Sequence, residues 1–149
     1  YFPNALVYGV DMYDKSANDT LRIKTFKGSQ DDAEFLNDLI SRIGNPDIII
    51  DDASHRSPET VNSFKILFPH LKQGGIYVIE DTFCSYWTHY GGSPGLNTNA
   101  PVTIMHYMAL LSHQMQRLDL AIQQYKSSEL VEMIDNISFY RSLIKVEKK

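Results

Sequence analysis

The sequence predicts an α/β protein built on a mostly parallel sheet, and two similar stretches indicate this most clearly. Residues 47–55 contain three successive isoleucines, then two aspartates and finally His55. Residues 74–81 repeat the form, with a glycine pair, four strand-forming residues and two more carboxylates. A helical pattern lies between the two stretches. We therefore expect two adjacent parallel strands joined by a right-handed crossover.

The segments before this unit extend the alternation of strands and helices. Residues 5–10 predict a strand with Asp11 directly after it, and residues 22–26 predict another strand near a sheet edge. A helix is expected to begin at the aspartate pair 31–32 and to end at Gly44. Its apolar residues recur at helical spacing and are expected to form a buried stripe of Phe35, Leu36, Leu39, Ile40 and Ile43.

The strand over residues 47–52 is expected to be buried on both faces, because its apolar run does not alternate with polar residues. The helix after it is expected to have Ser57 as its N-cap and Pro58 at its first position. Four apolar residues then follow at helical spacing until Pro69, namely Val61, Phe64, Leu67 and Phe68.

The last third of the chain contains a long loop, a helix and a β segment. Residues 82–101 form a loop that can cover the ends of the two similar strands. Tyr86 and Trp87 in this loop can stack on a sugar or a ring substrate, or can serve as packing anchors. Residues 137–146 predict a pair of strands or one long strand.

Residues 102–126 predict a helix whose apolar residues are spaced alternately by four and three positions. Packing of this helix on the sheet is one explanation of the spacing, and pairing with another subunit as a homo-oligomer is the other. The apolar residues concerned are Ile104, Met108, Leu111, Met115, Leu118, Ile122 and Tyr125.

The carboxylates after the two similar strands are candidate metal ligands. In adjacent parallel strands Asp52 and Glu80 would meet, together with Asp51 and Asp81, at the edge where open α/β sheets bind ligands. Two carboxylates about 4 Å apart repel by about 4 kcal/mol at an effective dielectric of 20, so such a cluster needs a cation or must take up protons. Oxygen ligands favour Mg²⁺. Alternatively, the acids lie apart and only solvate the strand ends.

Other polar residues at strand ends suit a nucleotide cofactor. Asp11 is placed to accept hydrogen bonds from ribose hydroxyls, although a lone aspartate after a strand is also an ordinary surface residue. Ser29, Gln30 and Asp31 are expected either to cap the next helix or to form a polar lip around an adenine. Asp51 is assigned to the same cofactor site.

Length and composition indicate one domain, residues 1–149, with an ordinary apolar fraction of 43%. The net charge is −4 and the basic residues form no stripe, so a nucleic-acid partner is not expected. No apolar stretch approaches the roughly 20 residues of a membrane-spanning helix, and no membrane association is expected. Cys84 is the single cysteine, which suits the reducing cytoplasm.

A glycine-rich turn after the first strand, which a nucleotide-binding sheet of this kind needs, is not found among the eight glycines. If Asp11 is the ribose ligand, the first strand and its turn would precede Tyr1. The chain is then the C-terminal, catalytic portion of a longer domain.

Several of these motifs together resemble class I S-adenosylmethionine-dependent O-methyltransferases, and in particular the Mg²⁺-dependent enzymes that methylate sugar hydroxyls on macrolides. The similar residues cover nearly the whole chain. They are Asp51-Asp52-Ala53-Ser54-His55, Leu67-Phe68-Pro69-His70-Leu71, residues 74–82, Ser85-Tyr86-Trp87, Tyr8-Gly9-Val10-Asp11 and Gly28-Ser29-Gln30-Asp31.

The resemblance implies a Rossmann-like parallel sheet with helices on both faces and a C-terminal antiparallel strand. It implies that Asp52, Glu80 and Asp81 bind Mg²⁺, that His55 is the general base and that Asp11 binds the ribose. The expected reaction is methyl transfer from S-adenosylmethionine to a hydroxyl of a sugar or natural product. A Mg²⁺-dependent phosphoryl-transfer or hydrolase domain, and a non-catalytic oligomerisation module, are the alternatives.

Overall fold

The computed structural model describes residues 2–95, 102–118 and 128–149 of the chain. Six strands are present in this part, namely β1 (Val7–Asp11), β2 (Ile23–Lys27), β3 (Ile48–Asp51), β4 (Ile76–Ile79), β5 (Ile134–Tyr140) and β6 (Leu143–Lys148). The α-helices are α1 (Ala33–Ile43), α2 (Ser57–Leu67), α3 (Ile104–Leu118) and the single turn α4 (Glu129–Glu132). Short 3-10 helices occur at Ser16–Asn18, Phe68–His70, Thr82–Tyr86 and Thr88–Tyr90.

The strands form a parallel pair, β1 with β2, and a four-stranded sheet in the order β3-β4-β6-β5. β3 and β4 are adjacent and parallel, with Asp51 opposite Ile79, which confirms the predicted strand-helix-strand unit. β5 and β6 are antiparallel and turn at Arg141 and Ser142, so the C-terminal segment is a strand pair. The predicted α/β fold with a C-terminal antiparallel extension is thereby confirmed.

The parallel strands are divided into two groups, each with a free edge. Among the described residues β1 pairs with β2 alone, and β3 pairs with β4 alone. The loop after β2 still reaches the loop after β3, because the Gln30 side chain hydrogen-bonds there.

The prediction that β3 is buried on both faces is wrong for one face. Ile48 and Ile50 are 46% and 61% exposed, whereas Ile49 packs against the core and Asp51 is buried. The buried side of β3 faces the core beneath α2, and α2 contacts both α1 and α3. Within residues 2–95, 102–118 and 128–149, no element buries the opposite face of β3, which carries Ile48 and Ile50.

The ends of α1 confirm the sequence prediction, whereas the start of α2 corrects it. The Asp32 carboxylate accepts a hydrogen bond from the Phe35 N–H, and Gly44 ends α1 with a φ of 76°. In α2 the N-cap is Arg56, not Ser57. Ser57 is fully buried, and its Oγ accepts a hydrogen bond from the Ile104 N–H at 3.1 Å. This hydroxyl therefore joins the starts of α2 and α3.

The described part of α3 packs on the sheet. Its first three seam residues, Ile104, Met108 and Leu111, are buried in the same core as Phe64, and Met115 packs against that core. Packing within the chain therefore explains this half of the predicted seam. Ile122 and Tyr125 lie outside the described residues, and association through this helix stays a prediction.

Candidate metal and cofactor site

The carboxyl ends of β3 and β4 lie side by side, as the sequence predicts. The Glu80 N–H donates to the Asp51 carbonyl oxygen at 3.0 Å, which continues the ladder one position beyond the paired strands. Acidic residues follow both strands. Asp52 comes directly after β3, and Glu80 and Asp81 come directly after β4. The fold therefore places these side chains at one sheet edge.

Asp52, His55 and Asp81 form a compact group at this edge. One ligand atom from each residue lies within 4.8 Å of the other two, and His55 Nε2 is 3.6 Å from Asp81 Oδ2. Asp52 is exposed, and the other two side chains are partly buried. The two carboxylates offer oxygen ligands of the kind that Mg²⁺ binds, and the imidazole lies beside them. The residues present thus fit a bound metal ion.

The backbone at this group is strained. His55 and Asp81 have φ values of 56° and 49°, in the left-handed region that side chains other than glycine rarely adopt. Strain of this kind costs on the order of 1–3 kcal/mol per residue and is concentrated at functional sites. Among the described non-glycine residues the only other positive φ is that of Ser142 in the β5-β6 turn. Strain therefore coincides with the side-chain pair that the sequence singled out.

Glu80 and Asp11 lie outside this group. Glu80 follows β4, but its carboxylate is not among the atoms that converge within 4.8 Å. The Asp11 carboxylate accepts from the Tyr13 N–H at 2.8 Å and lies 3.6 Å from Lys15 Nζ. Its side chain is 40% exposed. Metal binding by Glu80 and ribose binding by Asp11 both stay predictions.

Hydrogen bonds within the loop between β2 and α1, and from this loop to α2 and to the loop after β3, fix its side chains. Ser29 Oγ accepts from the Asp31 N–H at 3.2 Å in a local turn, whereas the cap of α1 is Asp32. The Asp31 carboxylate accepts from Asn62 Nδ2 at 3.1 Å, which attaches the loop to α2. Gln30 points in another direction and contacts the loop after β3. Contact of these residues with an adenine stays a prediction.

Asp51 is the most buried carboxylate of the site, with an exposed fraction of 8%. Its Oδ2 accepts from Ser63 Oγ at 2.6 Å and from the Tyr77 hydroxyl at 3.1 Å. Burial raises the pKa of Asp51, and the hydrogen bonds from Ser63 and Tyr77 oppose this increase. Burial and the neighbouring Asp51 charge raise the pKa of Tyr77 well above its usual value. Asp51 is therefore held within the protein by hydroxyls that the sequence analysis did not identify.

Aromatic side chains line part of a shallow, open cleft in the loop after β4, and one further ring lies near both this loop and His55. The cleft has a volume of about 370 Å³ and lies in the segment of residues 82–95, called here the aromatic loop. Tyr86 and Trp87 are 45% and 46% exposed. The Tyr90 ring joins the two regions, with its centroid 6.0 Å from that of Trp87 and 6.4 Å from that of His55. The cleft is lined by Tyr86, Trp87, Thr88, His89 and Pro94.

A close backbone contact fixes the shape of the aromatic loop. A Cβ atom at Gly92 would lie 2.4 Å from the Ser85 carbonyl oxygen, so only glycine fits there. The Gly92 N–H donates to the Trp87 carbonyl oxygen at 3.0 Å, and the Ser93 N–H donates to the Ser85 carbonyl oxygen at 2.9 Å. The loop is folded back on itself, which holds the exposed aromatic rings in place.

The described helices do not include one that is both long enough and apolar enough to cross a membrane. The sequence matches no family model.

The sequence is similar to those of several O-methyltransferases. Mycinamicin VI 2''-O-methyltransferase of Micromonospora griseorubida is 50% identical over 92 residues, which are 62% of this chain and 23% of that enzyme. Demethylmacrocin O-methyltransferase of Streptomyces fradiae is 35% identical over 99% of this chain and 38% of its own length. A tetracenomycin rhamnosyl 2'-O-methyltransferase of Streptomyces olivaceus is 36% identical over 100% of this chain and 39% of its length. The chain thus spans about two fifths of the last two relatives.

Solved structures that are similar to this chain are also methyltransferases. MycE methyltransferase of the mycinamycin biosynthetic pathway, in complex with Mg and SAH, matches with a TM-score of 0.92 and 38% identity. The match covers 99% of this chain and 38% of the MycE chain. The complex of MycE with Mg, SAH and mycinamycin VI matches with a TM-score of 0.88.

Proposed function

The chain belongs to the family of S-adenosylmethionine-dependent O-methyltransferases that these sugar-modifying enzymes represent, and we propose that it is the catalytic portion of such an enzyme. The proposed reaction transfers a methyl group from S-adenosylmethionine to a hydroxyl of a sugar or another natural product, with Mg²⁺ as metal. The observation that carries this proposal is the convergence of Asp52, His55 and Asp81 at the paired ends of β3 and β4. Residues 1–149 act as one domain in this proposal.

Asp52 and Asp81 would hold the metal ion, with Glu80 as the third carboxylate. Asp52 is exposed and Asp81 is partly exposed, so an acceptor could approach both carboxylates. When bound, a divalent cation lowers the pKa of a hydroxyl that it contacts and fixes the position of that oxygen. Glu80 follows β4 at the same sheet edge, and the hydrogen bond from its N–H to the Asp51 carbonyl oxygen fixes its backbone directly before Asp81.

His55 is proposed as the general base that takes the proton of the acceptor hydroxyl. An imidazole suits this role because its ordinary pKa lies near neutrality. Asp81 Oδ2, 3.6 Å from His55 Nε2, would stabilise the imidazolium that forms. The new bond joins the acceptor oxygen to the methyl carbon, the bond from that carbon to sulfur breaks, and S-adenosylhomocysteine leaves. His55 takes the proton of the acceptor hydroxyl and later releases it to solvent.

The cofactor is proposed to lie between the ends of β1, β2 and β3. Asp11 at the end of β1 is partly exposed and would accept from the ribose hydroxyls. Ser29 and Asp31 would border the adenine, and Gln30 and Asp51, which hydrogen-bond to each other, would lie beneath it.

The acceptor is proposed to enter through the cleft of the aromatic loop, where Tyr86 and Trp87 offer exposed rings to a sugar. A hydroxylated small molecule is thus the expected partner, and the net charge of −4 gives no support for nucleic acid. The buried single cysteine, Cys84, supports action in the reducing cytoplasm. Homo-oligomerisation through residues 102–126 is a further prediction.

Calorimetric titration of Mn²⁺, as a substitute for Mg²⁺, tests the metal site in the unaltered chain and in the Asp52→Asn and Asp81→Asn variants. We expect one ion per chain and at least tenfold weaker binding in either variant. Asp38→Asn is the matched control, because Asp38 is an exposed aspartate on α1 that pairs with Arg42. Absence of binding in the unaltered chain, or equal affinity in the Asp52→Asn variant, would contradict the proposal.

A further inference from the structure

The Gln30 side chain bridges two loops that the proposed function assigns to different ligands. Gln30 lies between β2 and α1, on the cofactor side, and Ser54 lies between β3 and α2, one residue before His55. The Ser54 N–H donates to Gln30 Oε1 at 2.7 Å, and Gln30 Nε2 donates to Asp51 Oδ1 at 3.4 Å. One carboxamide thus contacts both ends of the segment that contains Asp52.

We propose that Gln30 is a positioning residue. Its carboxamide holds the 52–55 loop in the conformation that brings Asp52 and His55 close to Asp81. This inference rests on the proposed function for the identity of the ligand, but the bridge itself is a property of the fold. Residues 52–55 lie between the end of β3 and the start of α2 and contain no regular secondary structure. Side-chain contacts must therefore help to fix the loop.

The bond to Ser54 acts where the backbone is strained. His55 follows Ser54 directly and has a φ of 56°, a conformation that persists only when its surroundings impose it. The side-chain Oε1 of Gln30 fixes the direction of the Ser54 N–H, and this orients the peptide between Ala53 and Ser54, one peptide before His55. A second local contact, from the Arg56 N–H to Ser54 Oγ at 3.2 Å, fixes the other side of the same residue.

Rigid elements support both ends of the bridge. On one side the Asp51 carboxylate is held by Ser63 of α2 and Tyr77 of β4. On the other side the loop of Gln30 is attached to α2 through Asn62, which donates to Asp31. The residue after Gln30 is thus attached to α2, and the Gln30 side chain itself is held by Asp51 and Ser54.

The chemistry of this position suits an amide. The side chain must donate to a carboxylate and accept from an N–H at the same time, and an uncharged carboxamide does both. A carboxylate at this position would accept from Ser54 but would repel Asp51. An aliphatic side chain of equal length would make neither hydrogen bond, and Gln30→Met is therefore the informative variant.

Amide hydrogen exchange measured by NMR tests the bridge without any ligand. In Gln30→Met we expect the Ser54 N–H to exchange at least tenfold faster. The Glu80 N–H, which bonds to the Asp51 carbonyl oxygen, should keep its rate and serves as the internal reference. A variant that merely destabilised the fold would accelerate both amides in parallel. Gln73→Met is the matched control, because Gln73 is an exposed glutamine in the turn before β4.

Titration with Mn²⁺ tests whether the bridge serves the metal site. We expect at least fivefold weaker binding in Gln30→Met and a change of less than twofold in Gln73→Met. Unchanged exchange at Ser54, or Mn²⁺ affinity within twofold of the unaltered chain, would overturn the positioning role. If the unaltered chain binds no Mn²⁺, the proposed function fails, and the Ser54 exchange rate alone then decides whether Gln30 positions the loop.

Discussion

Removal of the Tyr77 hydroxyl tests the buried network that supports the site. Tyr77 is fully buried, and its hydroxyl donates to Asp51 Oδ2 at 3.1 Å. In Tyr77→Phe the ring keeps its edge contact with Phe64, whose centroid lies 5.1 Å away. The packing is thus retained, and the variant removes the hydrogen bond to Asp51 together with the longer contact of the hydroxyl with Ser63 Oγ at 3.5 Å.

The expected loss of stability follows from the charge of the acceptor. A hydrogen bond to a charged group contributes about 1.5–3 kcal/mol. Ser63 still donates to the same oxygen at 2.6 Å, and the Tyr77 bond is the longer of the two. We therefore expect a loss near the lower limit, about 1.5–2 kcal/mol at pH 7. For a chain of this size it corresponds to a fall in Tm of about 3–8 °C.

The loss should depend on pH with a defined sign. Burial raises the pKa of Asp51 above the value of the unfolded chain, so the folded protein holds the proton more tightly. The free energy of unfolding attributable to Asp51 therefore decreases as the pH rises from the unfolded pKa through the folded one. Loss of the Tyr77 hydroxyl raises the folded pKa further, which widens this interval. The destabilisation should be larger at pH 7 than at pH 4.

Urea unfolding followed by circular dichroism, at pH 4 and pH 7, measures both effects. Tyr86→Phe is the control, because the Tyr86 side chain is 45% exposed in the aromatic loop and its hydroxyl should contribute less than about 0.5 kcal/mol. A loss below 0.5 kcal/mol in Tyr77→Phe at pH 7, or a loss that is equal at the two pH values, would refute the reasoning.

Three other outcomes follow from the structure. Gly92→Ala should displace the aromatic loop, because its Cβ would lie 2.4 Å from the Ser85 carbonyl oxygen. A shift of the tryptophan emission spectrum would show this displacement. The control Gly9→Ala, whose Cβ would have its nearest contact at 3.5 Å, should leave the spectrum unchanged. Phe64→Ala should cost about 3–5 kcal/mol in urea unfolding, because Phe64 is fully buried at the centre of the core. The pKa of the Tyr77 phenol is raised in the folded protein, so the unfolded chain loses this proton first. The free energy of unfolding should therefore fall as the pH rises above about 10, and it should fall less steeply in Tyr77→Phe. An equal dependence on pH in the two proteins would contradict this.

The sequence allowed the sheet edge to be predicted because its signals are local. Each strand end is marked by an apolar run followed by acids, and the helix between them requires parallel neighbours. Asp52 and Asp81 therefore converge as expected. The arrangement of backbone angles at His55 and Asp81 has no such local signal, since neither residue is a glycine.

Other features depend on contacts between distant segments. Gln30 was expected to cap a helix or to border an adenine, yet its side chain bonds to residues 21 and 24 positions further along the chain. Ser57 was expected to be an N-cap, but its hydroxyl bonds to Ile104 instead. Periodicity and spacing contain no information about such pairs, because several polar partners compete for each hydroxyl or amide.

The exposed faces were also beyond prediction from composition. Three consecutive isoleucines are typical of a strand covered on both sides, and Ile49 is indeed packed against the core. Whether a second layer covers Ile48 and Ile50 depends on which neighbours the strand has, and a run of apolar residues does not reveal this.

The free edges of β1 and β3 have a consequence for the behaviour of the protein in concentrated solution. In the described part of the chain each edge presents a row of unpaired amide and carbonyl groups, bordered by exposed side chains such as Val7 and Ile50. Such an edge is a template on which another extended chain can add. The solubility of the isolated chain, rather than its folding stability, should therefore limit its handling, and its first aggregates should grow by extension of the sheet.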